Sequence, residues 1–367
     1  MSDLPIPLSA EDFTPDWLTA ALRSNGTIDD ERVVSVEAIP MGEEFGFLGS
    51  LLRLSLTYDQ PRAGAPATLI AKFAAGAEMN RAFARQYGIY VTEARFFQDL
   101  QPSLTAMPTV QAVYTAYDSA AGDGVTILED LQGKLRIGDQ MVSPPHAEAL
   151  KIVEQSAGLH ATWWGKADAD DLAWIPKTDG PVWAMAPATL QGFWPAYQQN
   201  FGHMLTPDLI SAVERTWAQM DWVFKRFATP PITVIHGDYR LDNMFFPDRE
   251  GDPITVIDFQ LMARGRGPYD IAYFASQSLD VEQRRATERE LVRHYHDTLG
   301  AAGVRDYSFD DCFEDYRLAT LWCAVYPIGM GGGLAGDSQR HLDLATEVSR
   351  RCFTAIADLD AVSTLPS

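Results

Sequence analysis

The sequence predicts an α+β protein with two lobes, a strand-rich N-terminal lobe of residues 1–131 and a larger, mostly helical lobe of residues 132–367. Three observations lead to this prediction. The chain has 367 residues, which is more than one ordinary hydrophobic core needs. Alternating apolar patterns occupy its first third, and helical spacing of apolar residues dominates after Leu131. The boundary is expected between Glu129 and Gly133.

The N-terminal lobe is expected to open with a short helix and to continue as strands. Thr14 is a suitable N-cap, Pro15 suits the first turn, and Gly26 marks the end of this helix. Strand patterns follow in SLLRLSLTY and ATLIAKFAA, and one helix is expected between Arg81 and Leu100. The segments TVQAVYTAY and GVTILEDL then predict a hairpin.

The C-terminal lobe shows helical patterns that begin at PPHAEALK and continue to Phe227. Two short apolar runs, PITVIHGD and ITVIDF, interrupt the helices and are expected to form one embedded hairpin. Helical patterns then continue to the end, broken by the glycines of GMGGGLAG. Polar residues at the ends of the two short strands lie where backbone pairing stops and side chains can meet a ligand.

Charge and composition exclude several functional classes. Asp and Glu outnumber Lys and Arg by 50 to 29, so the net charge is −21, which disfavours nucleic acid or an anionic membrane as partner. The acidity favours solubility or, alternatively, a cationic substrate. The three cysteines are widely spaced, so no disulfide framework is expected. The N-terminus is acidic and has no apolar core segment, and the sequence has no long apolar run, so a cytoplasmic protein is expected.

The strongest chemical signal is HGDYRLDN, which is followed downstream by VIDF. Phosphoryl transfer requires a carboxylate that accepts the hydroxyl proton, and oxygen ligands that hold magnesium on the phosphates. Asp238 is suited to the first role, and Asn243 and Asp258 are suited to the second. The alternative is a turn in which Asp and Asn bond their own backbone. Four fixed residues at fixed spacing, with IDF downstream, favour phosphoryl transfer.

These motifs resemble those of the aminoglycoside phosphotransferase and choline kinase superfamily, whose members have the bilobal protein-kinase fold. IDFQ and GPYDIAYF are most similar to its ecdysteroid-kinase-like branch, and HGDYRLDN also resembles kinase domains that act on hydroxyacyl compounds. The resemblance extends from about Met41 to Gly333. It implies ATP and Mg²⁺ as cofactors.

The resemblance also implies a lysine that holds the phosphates and a helical glutamate that pairs with it. Lys72, inside an apolar strand, and Glu93 fit these positions, with Glu78 as a rival to Glu93. An unpaired lysine in an apolar strand is costly, which supports the pairing. Gly42, Gly46, Gly49 and Ser50 stand where a glycine-rich loop covers the phosphates, although the segment departs from the protein-kinase pattern.

Other residues are assigned by the same resemblance. Backbone groups near Glu129 and Leu131 are expected to bind adenine. Arg240 is expected to neutralise the transferring phosphoryl group, and the alternative is a surface arginine paired with Asp242. Asp270 and His236 are expected to brace the catalytic loop, and the glycine run at Gly329 to break a helix near the substrate pocket.

The sequence therefore predicts a kinase that phosphorylates a hydroxyl of a small molecule. The aromatic C-terminal lobe leaves the acceptor open between a cationic amino alcohol or aminoglycoside and an apolar alcohol or hydroxyacyl compound; most of its aromatic residues are expected in the core. An inactive nucleotide-binding module is the alternative. A protein kinase is disfavoured, because the loop has HGD in place of HRD and no A-P-E segment follows.

Overall fold

A computed structural model describes residues 4–41, 49–74, 76–184, 186–249, 252–334 and 338–366. The chain divides into two compact units. The first comprises the residues up to Thr105, Thr109–Leu135 and Thr255–Leu261, and the second comprises Ala106–Pro108, Arg136–Ile254 and the residues from Met262 onward.

The strands are, in chain order, β1 (Val33–Pro40), β2 (Gly49–Tyr58), β3 (Thr68–Ala74), β4 (Ala112–Asp118), β5 (Asp123–Glu129), β6 (Arg136–Ile137), β7 (Thr233–Ile235), β8 (Met244–Phe246), β9 (Thr255–Val256) and β10 (Ala263–Gly265). In the described part of the first unit, β1 to β5 form an antiparallel sheet with the order β1-β2-β3-β5-β4. The central strand β3 carries Lys72, opposite Leu51 of β2 and Thr126 of β5.

The helices are α1 (Pro15–Ser24), α2 (Glu78–Gln86), α3 (Ile89–Arg95), α4 (His146–Trp163), α5 (Pro181–Ala184), α6 (Ala186–Phe201), α7 (Pro207–Ala218), α8 (Met220–Phe227), α9 (Pro268–Ser278), α10 (Val281–Ala301), α11 (Phe309–Cys323), α12 (Val325–Gly329) and α13 (Gln339–Asp358). Every residue of α9 is buried, so this helix is the centre of the second unit.

The N-terminal helix forms as its sequence predicts. The Thr14 hydroxyl accepts a hydrogen bond from the backbone of Trp17 at 3.2 Å, and Pro15 occupies the first helical position. One face of α1 then packs Leu18 and Leu22 against the sheet, in the same apolar cluster as Leu54 and Leu69. Burial of this face is the main stabilising contribution of α1.

The single helix predicted between Arg81 and Leu100 is wrong. Two helices, α2 and α3, meet at Gly88, whose φ of 65° lies in the left-handed region and breaks the helical path. Nearby, Gly124 of β5 allows close approach, because a Cβ on it would lie 2.6 Å from the carbonyl oxygen of Tyr90. This approach fixes α3, and with it Glu93, against the sheet.

The embedded hairpin predicted from PITVIHGD and ITVIDF is also wrong. β7 pairs antiparallel with β10, with Ile235 opposite Ala263, whereas β9 belongs to the first unit and forms a parallel bridge to Thr109. Strands of two or three residues contain too few positions for an apolar pattern to specify a partner. Tertiary packing decides the pairing.

Most aromatic residues proposed for the helical lobe are core residues, as predicted. Trp163, Trp183, Trp194 and Trp322 are at most 8% exposed, and the rings of Trp183 and Trp322 meet edge to face at 5.2 Å. The described part of the glycine run forms an irregular turn after α12. It packs on α6, where a Cβ on Gly331 would lie 2.7 Å from Tyr197.

Cys312, Cys323 and Cys352 are buried free thiols. Within the residues that the structure describes, no helix has both the length and the apolarity required to cross a membrane.

Candidate active site

Lys72 forms the centre of a charge cluster in the first unit. Its Nζ lies 2.8 Å from Oε1 of Glu93 on α3 and 2.7 Å from Oδ1 of Asp258, which follows β9. The Lys72 and Glu93 side chains are 12% and 5% exposed, whereas Asp258 is 22% exposed. The structure therefore brings three of the predicted site residues together, and the rival Glu78 pairs with Arg81 at 2.6 Å instead.

The charges in this cluster depend on one another. Burial disfavours the ammonium form of Lys72, but the carboxylates of Asp258 and Glu93 outweigh that effect and raise the pKa of Lys72. Burial raises the pKa of Glu93, and Lys72 opposes this rise. Lysine is thus held as a fixed cation between two acids.

The backbone at Asp258 has an unusual conformation. Its φ of 69° lies in the left-handed region, which non-glycine residues adopt seldom and mostly where the surroundings enforce it. The next residue, Phe259, stacks on Phe96 with ring centroids 3.6 Å apart, which anchors the segment after Asp258. Local conformation and anchoring together aim the carboxylate at Lys72.

Asp238, Arg240 and Asn243 lie together in the second unit. Asn243 Nδ2 donates to both the backbone oxygen and Oδ2 of Asp238, each at 2.9 Å. Arg240 Nε lies 3.2 Å from Asp238 Oδ1. The five-residue step from Asp238 to Asn243, closed by the 3-10 turn Leu241–Asn243, therefore forms a compact loop around one carboxylate.

Asp238 is 8% exposed yet favours its ionised form. Burial raises its pKa, but Arg240, a hydrogen bond from the Tyr273 hydroxyl and the Asn243 amide together lower the pKa below the usual aspartate value. An ionised carboxylate is the form that accepts a proton from a hydroxyl.

Asp270 on α9 holds the backbone that leads to Asp238. Its Oδ2 accepts from the backbone of His236 at 2.8 Å, and its Oδ1 accepts from the backbone of Gly237 at 3.0 Å. His160 Nε2 lies 3.0 Å from the same carboxylate, and Tyr295 lies 2.8 Å from His160 Nδ1. His236 Nδ1 in turn accepts from the backbone of Asp238 at 3.2 Å.

We expect Asp270→Ala to lower the free energy of unfolding by about 2–5 kcal/mol, because two buried N–H groups and His160 lose their acceptor. Urea denaturation measures the effect. Asp248→Ala, on an exposed aspartate that follows β8, is the control and should change little. Equal stability of Asp270→Ala and the parent would show that Asp270 does not hold the loop.

Sequence reasoning did not place two tyrosines beside the catalytic loop, although it counted Tyr326 among the aromatic residues of the helical lobe. Tyr273 lowers the pKa of the Asp238 carboxylate, and its ring stacks on Tyr326 with centroids 4.1 Å apart. Tyr326 donates to the backbone oxygen of Gly237 at 3.0 Å. Tyr273 was detectable in principle, because it lies three residues after Asp270 and so shares a helix face with it.

The segment assigned to adenine binding follows β5. The Glu129 backbone N–H donates to the carbonyl oxygen of Gln111 at 3.0 Å, and Leu131 is 8% exposed. The Leu131 carbonyl accepts from Lys134 and Leu135, at 3.0 and 3.1 Å, in the turn that follows. These bonds fix the path of the backbone on both sides of Asp130.

The structure describes only part of the segment that was predicted to cover the phosphates. Gly42 and Gly46 lie outside the described residues. Gly49 and Ser50 are the first residues of β2, opposite Ala74 and Phe73 of β3. A Cβ on Gly49 would lie 3.2 Å from the backbone oxygen of Phe73, so the strands approach closely there.

The side-chain oxygens of Asp258 and Asn243 are of the type that can bind a magnesium ion carried by a nucleotide. The Asn243 NH₂ group is committed to Asp238, which turns the amide oxygen away from that carboxylate. Among the described residues, no group of three or more His, Cys, Asp or Glu is placed to hold a metal. Mg²⁺ commonly binds one or two protein oxygens together with substrate phosphates, so a sparse donor set suits it.

Comparison with known families identifies the family of the chain. The model of the phosphotransferase enzyme family named APH matches residues 65–307, a range that contains Lys72, Asp238 and Asp258. The chain belongs to this phosphotransferase family. The resemblance stated from the sequence is thereby confirmed at the level of the family, while the closer likeness to the ecdysteroid-kinase-like branch stays a prediction.

Solved structures share the fold of this phosphotransferase. A protein from Ralstonia eutropha JMP134, described as an aminoglycoside phosphotransferase, is 16% identical, with a TM-score of 0.53 over 95% of this chain and 98% of that one. Choline kinase from Cryptosporidium parvum Iowa II is 10% identical, with a TM-score of 0.55 over 90% and 92%. The GDP complex of aminoglycoside 2'-phosphotransferase-IIIa is 15% identical, with a TM-score of 0.54 over 92% and 98%. The predicted protein-kinase-like fold is confirmed.

Curated relatives match shorter segments of the phosphotransferase. An uncharacterised kinase-like protein of Caenorhabditis elegans is 28% identical over 88 residues, which are 24% of this chain and 23% of that protein. The mouse acyl-CoA dehydrogenase family member 10 is 24% identical over 131 residues, 31% of this chain and 12% of that protein. The matches thus span less than a quarter of the length of these relatives.

Proposed function

We propose that this phosphotransferase moves the γ-phosphoryl group of ATP, taken with Mg²⁺, to a hydroxyl of a small molecule. The observation that carries the proposal is the Lys72 ammonium held between Glu93 and Asp258. A lysine fixed in this way is a preorganised cation for phosphate oxygens, and it needs no rearrangement when charge shifts during transfer. Residues 1–131 are the proposed nucleotide lobe.

Asp238 is the proposed base for the acceptor hydroxyl, in a C-terminal lobe of residues 132–367. Its carboxylate is held by Asn243 and Arg240, which leaves it ionised and oriented. Positioning of the hydroxyl and the phosphoryl group is the larger part of catalysis in such reactions. Arg240 is the proposed partner for the negative charge of the phosphoryl group.

Asn243 and Asp258 are the proposed magnesium ligands. The ion, when bound, supplies a double positive charge that neutralises phosphate oxygens. Asp258 contributes a carboxylate oxygen, and Asn243 contributes the amide oxygen that its bonds to Asp238 leave available. Both are hard oxygen donors, which Mg²⁺ prefers.

Backbone groups at Glu129 and Leu131 are the proposed partners of the nucleotide base. Gly49 and Ser50 are proposed to lie along the phosphates. Support for a nucleotide comes from the similar aminoglycoside phosphotransferase that was solved with GDP. The binding experiment therefore compares ATP with GTP.

A small-molecule acceptor is supported by the family and by the similar choline kinase and aminoglycoside phosphotransferases. The loop also has HGD, not the HRD of protein kinases. A thermal-shift screen of amino alcohols, aminoglycosides, sterols and other apolar alcohols, with ATP and Mg²⁺ present, would identify the class. A ligand at about 100 times its Kd adds roughly 2.7 kcal/mol to the free energy of unfolding.

We expect calorimetry to show ATP binding that depends on Mg²⁺, because Asp258 and the nucleotide phosphates share the ion. ATP with EDTA and GTP with Mg²⁺ are the comparisons. A folded sample that takes up neither nucleotide in millimolar Mg²⁺ would contradict the proposed function.

A further inference from the structure

The Arg240 side chain is held by its own loop and by a second segment that is distant in the sequence. Within its own loop, its Nη1 donates to Asp242 Oδ2 at 2.8 Å, and its Nε contacts Asp238. From the segment after β6, Gln140 Oε1 accepts from the same Nη1 at 3.2 Å. Gln140 precedes Arg240 by 100 residues, so only the fold brings the two together.

Gln140 is itself fixed in place. It is 2% exposed, and its backbone N–H donates to Asp242 Oδ1 at 2.8 Å. Its backbone oxygen accepts from Arg351 Nη1 of α13 at 2.7 Å. Arg351 is 1% exposed and is tied by Nη2 to Asp280 at 2.6 Å. A buried cation thus clamps the segment that carries Gln140.

Close packing prevents this segment from moving away from the catalytic loop. Gly138 N–H donates to the backbone oxygen of Met244 at 2.8 Å. A Cβ on Gly138 would lie 2.1 Å from the backbone oxygen of Leu241, so only glycine fits there. The amide of Gln140 is therefore held close to Arg240 by several independent contacts.

The chemistry of the amide determines its orientation. Arginine has donors and no acceptor, so the oxygen of Gln140 must face Arg240 and its NH₂ group must point elsewhere. That Nε2 is buried and has no hydrogen-bond partner among the described residues. Within the described residues, the side chain of Gln140 therefore forms its hydrogen bond through the oxygen, to Arg240.

The neutrality of this acceptor matters for the charge of Arg240. The guanidinium already contacts two carboxylates, those of Asp238 and Asp242. A third carboxylate would add negative charge where two carboxylates already outnumber the single guanidinium, whereas an amide oxygen orients the guanidinium and adds no charge. We propose that Gln140 is a positioning residue for phosphoryl transfer, which holds Arg240 in place through a neutral acceptor and adds no negative charge opposite the phosphoryl group. This inference rests on the proposed function.

The test measures the affinity of aluminium fluoride for the protein saturated with ADP and Mg²⁺, since this anion imitates the phosphoryl group in transfer and requires no acceptor molecule. Gln140→Met removes the acceptor oxygen at similar size, and Gln140→Glu keeps an oxygen but adds charge. We expect both variants to bind aluminium fluoride about tenfold or more weakly, near the loss of one charged hydrogen bond, as should Arg240→Met. The affinity for ADP with Mg²⁺ should be that of the parent, which a general loosening of the loop would not produce.

Gln98→Met, on an exposed glutamine of the first unit, is the matched control and should behave as the parent. If either Gln140 variant binds aluminium fluoride as tightly as the parent does, while Arg240→Met binds it more weakly, the proposal is wrong. Parental affinity in Arg240→Met overturns it as well, because Gln140 would then position no catalytic cation. A parent protein that fails to bind ADP with Mg²⁺ contradicts the proposed function itself.

Discussion

Asp238→Asn is expected to lower turnover by about 10²–10⁴-fold, the usual contribution of a positioned acid or base. The substitution keeps an oxygen that accepts from Asn243 and has nearly the same size, so the loop should stay folded. The lost property is the capacity to take up the proton of the acceptor hydroxyl. Turnover is measured with ATP, Mg²⁺ and the acceptor found in the thermal-shift screen.

Binding measurements separate this effect from misfolding. ATP with Mg²⁺ should bind Asp238→Asn nearly as it binds the parent, because Asp238 is assigned to the acceptor. Asp248→Asn, an exposed aspartate beyond β8, is the matched control and should retain parental turnover. If Asp238→Asn turns over as fast as the parent, Asp238 is not the base, and transfer relies on positioning and charge alone.

Lys72→Met is expected to weaken ATP binding by roughly 10- to 100-fold, which corresponds to the loss of one or more charged hydrogen bonds. Turnover should fall too, because the ammonium is assigned to phosphates whose charge changes during transfer. The variant also leaves Glu93 and Asp258 without their shared cation, so its melting temperature without ligand should fall. Calorimetry with ATP and Mg²⁺, together with initial rates, measures the two effects.

Two further variants show whether the loss is specific to phosphate contact. Lys225→Met removes the same charge from an exposed position on α8 and should bind ATP as the parent does. Asp258→Asn should bind ATP with little dependence on Mg²⁺, whereas Lys72→Met should keep that dependence. If a folded Lys72→Met variant binds ATP and turns over as the parent does, Lys72 has only a structural role in its strand and does not contact the phosphates.

Several features of the fold were predictable because local sequence determines them. The cap and first turn of α1 follow from Thr14 and Pro15, and the alternation around Leu54 marks β2. Gly88 was harder to interpret, since a glycine within a helical pattern is often tolerated. Its left-handed backbone divides α2 from α3, and apolar spacing on either side does not reveal that.

The sequence by itself determined the family and the chemical types of the site residues, because HGDYRLDN and IDF combine rare residue types at fixed spacing. Only the tertiary structure decided that Glu93, not Glu78, meets Lys72, and that β7 pairs with β10. The same holds for the contacts of Tyr273 with Asp238 and of Gln140 with Arg240. The physical reason is that short motifs fix chemistry locally, whereas hydrogen bonds between distant segments depend on packing that no local pattern encodes.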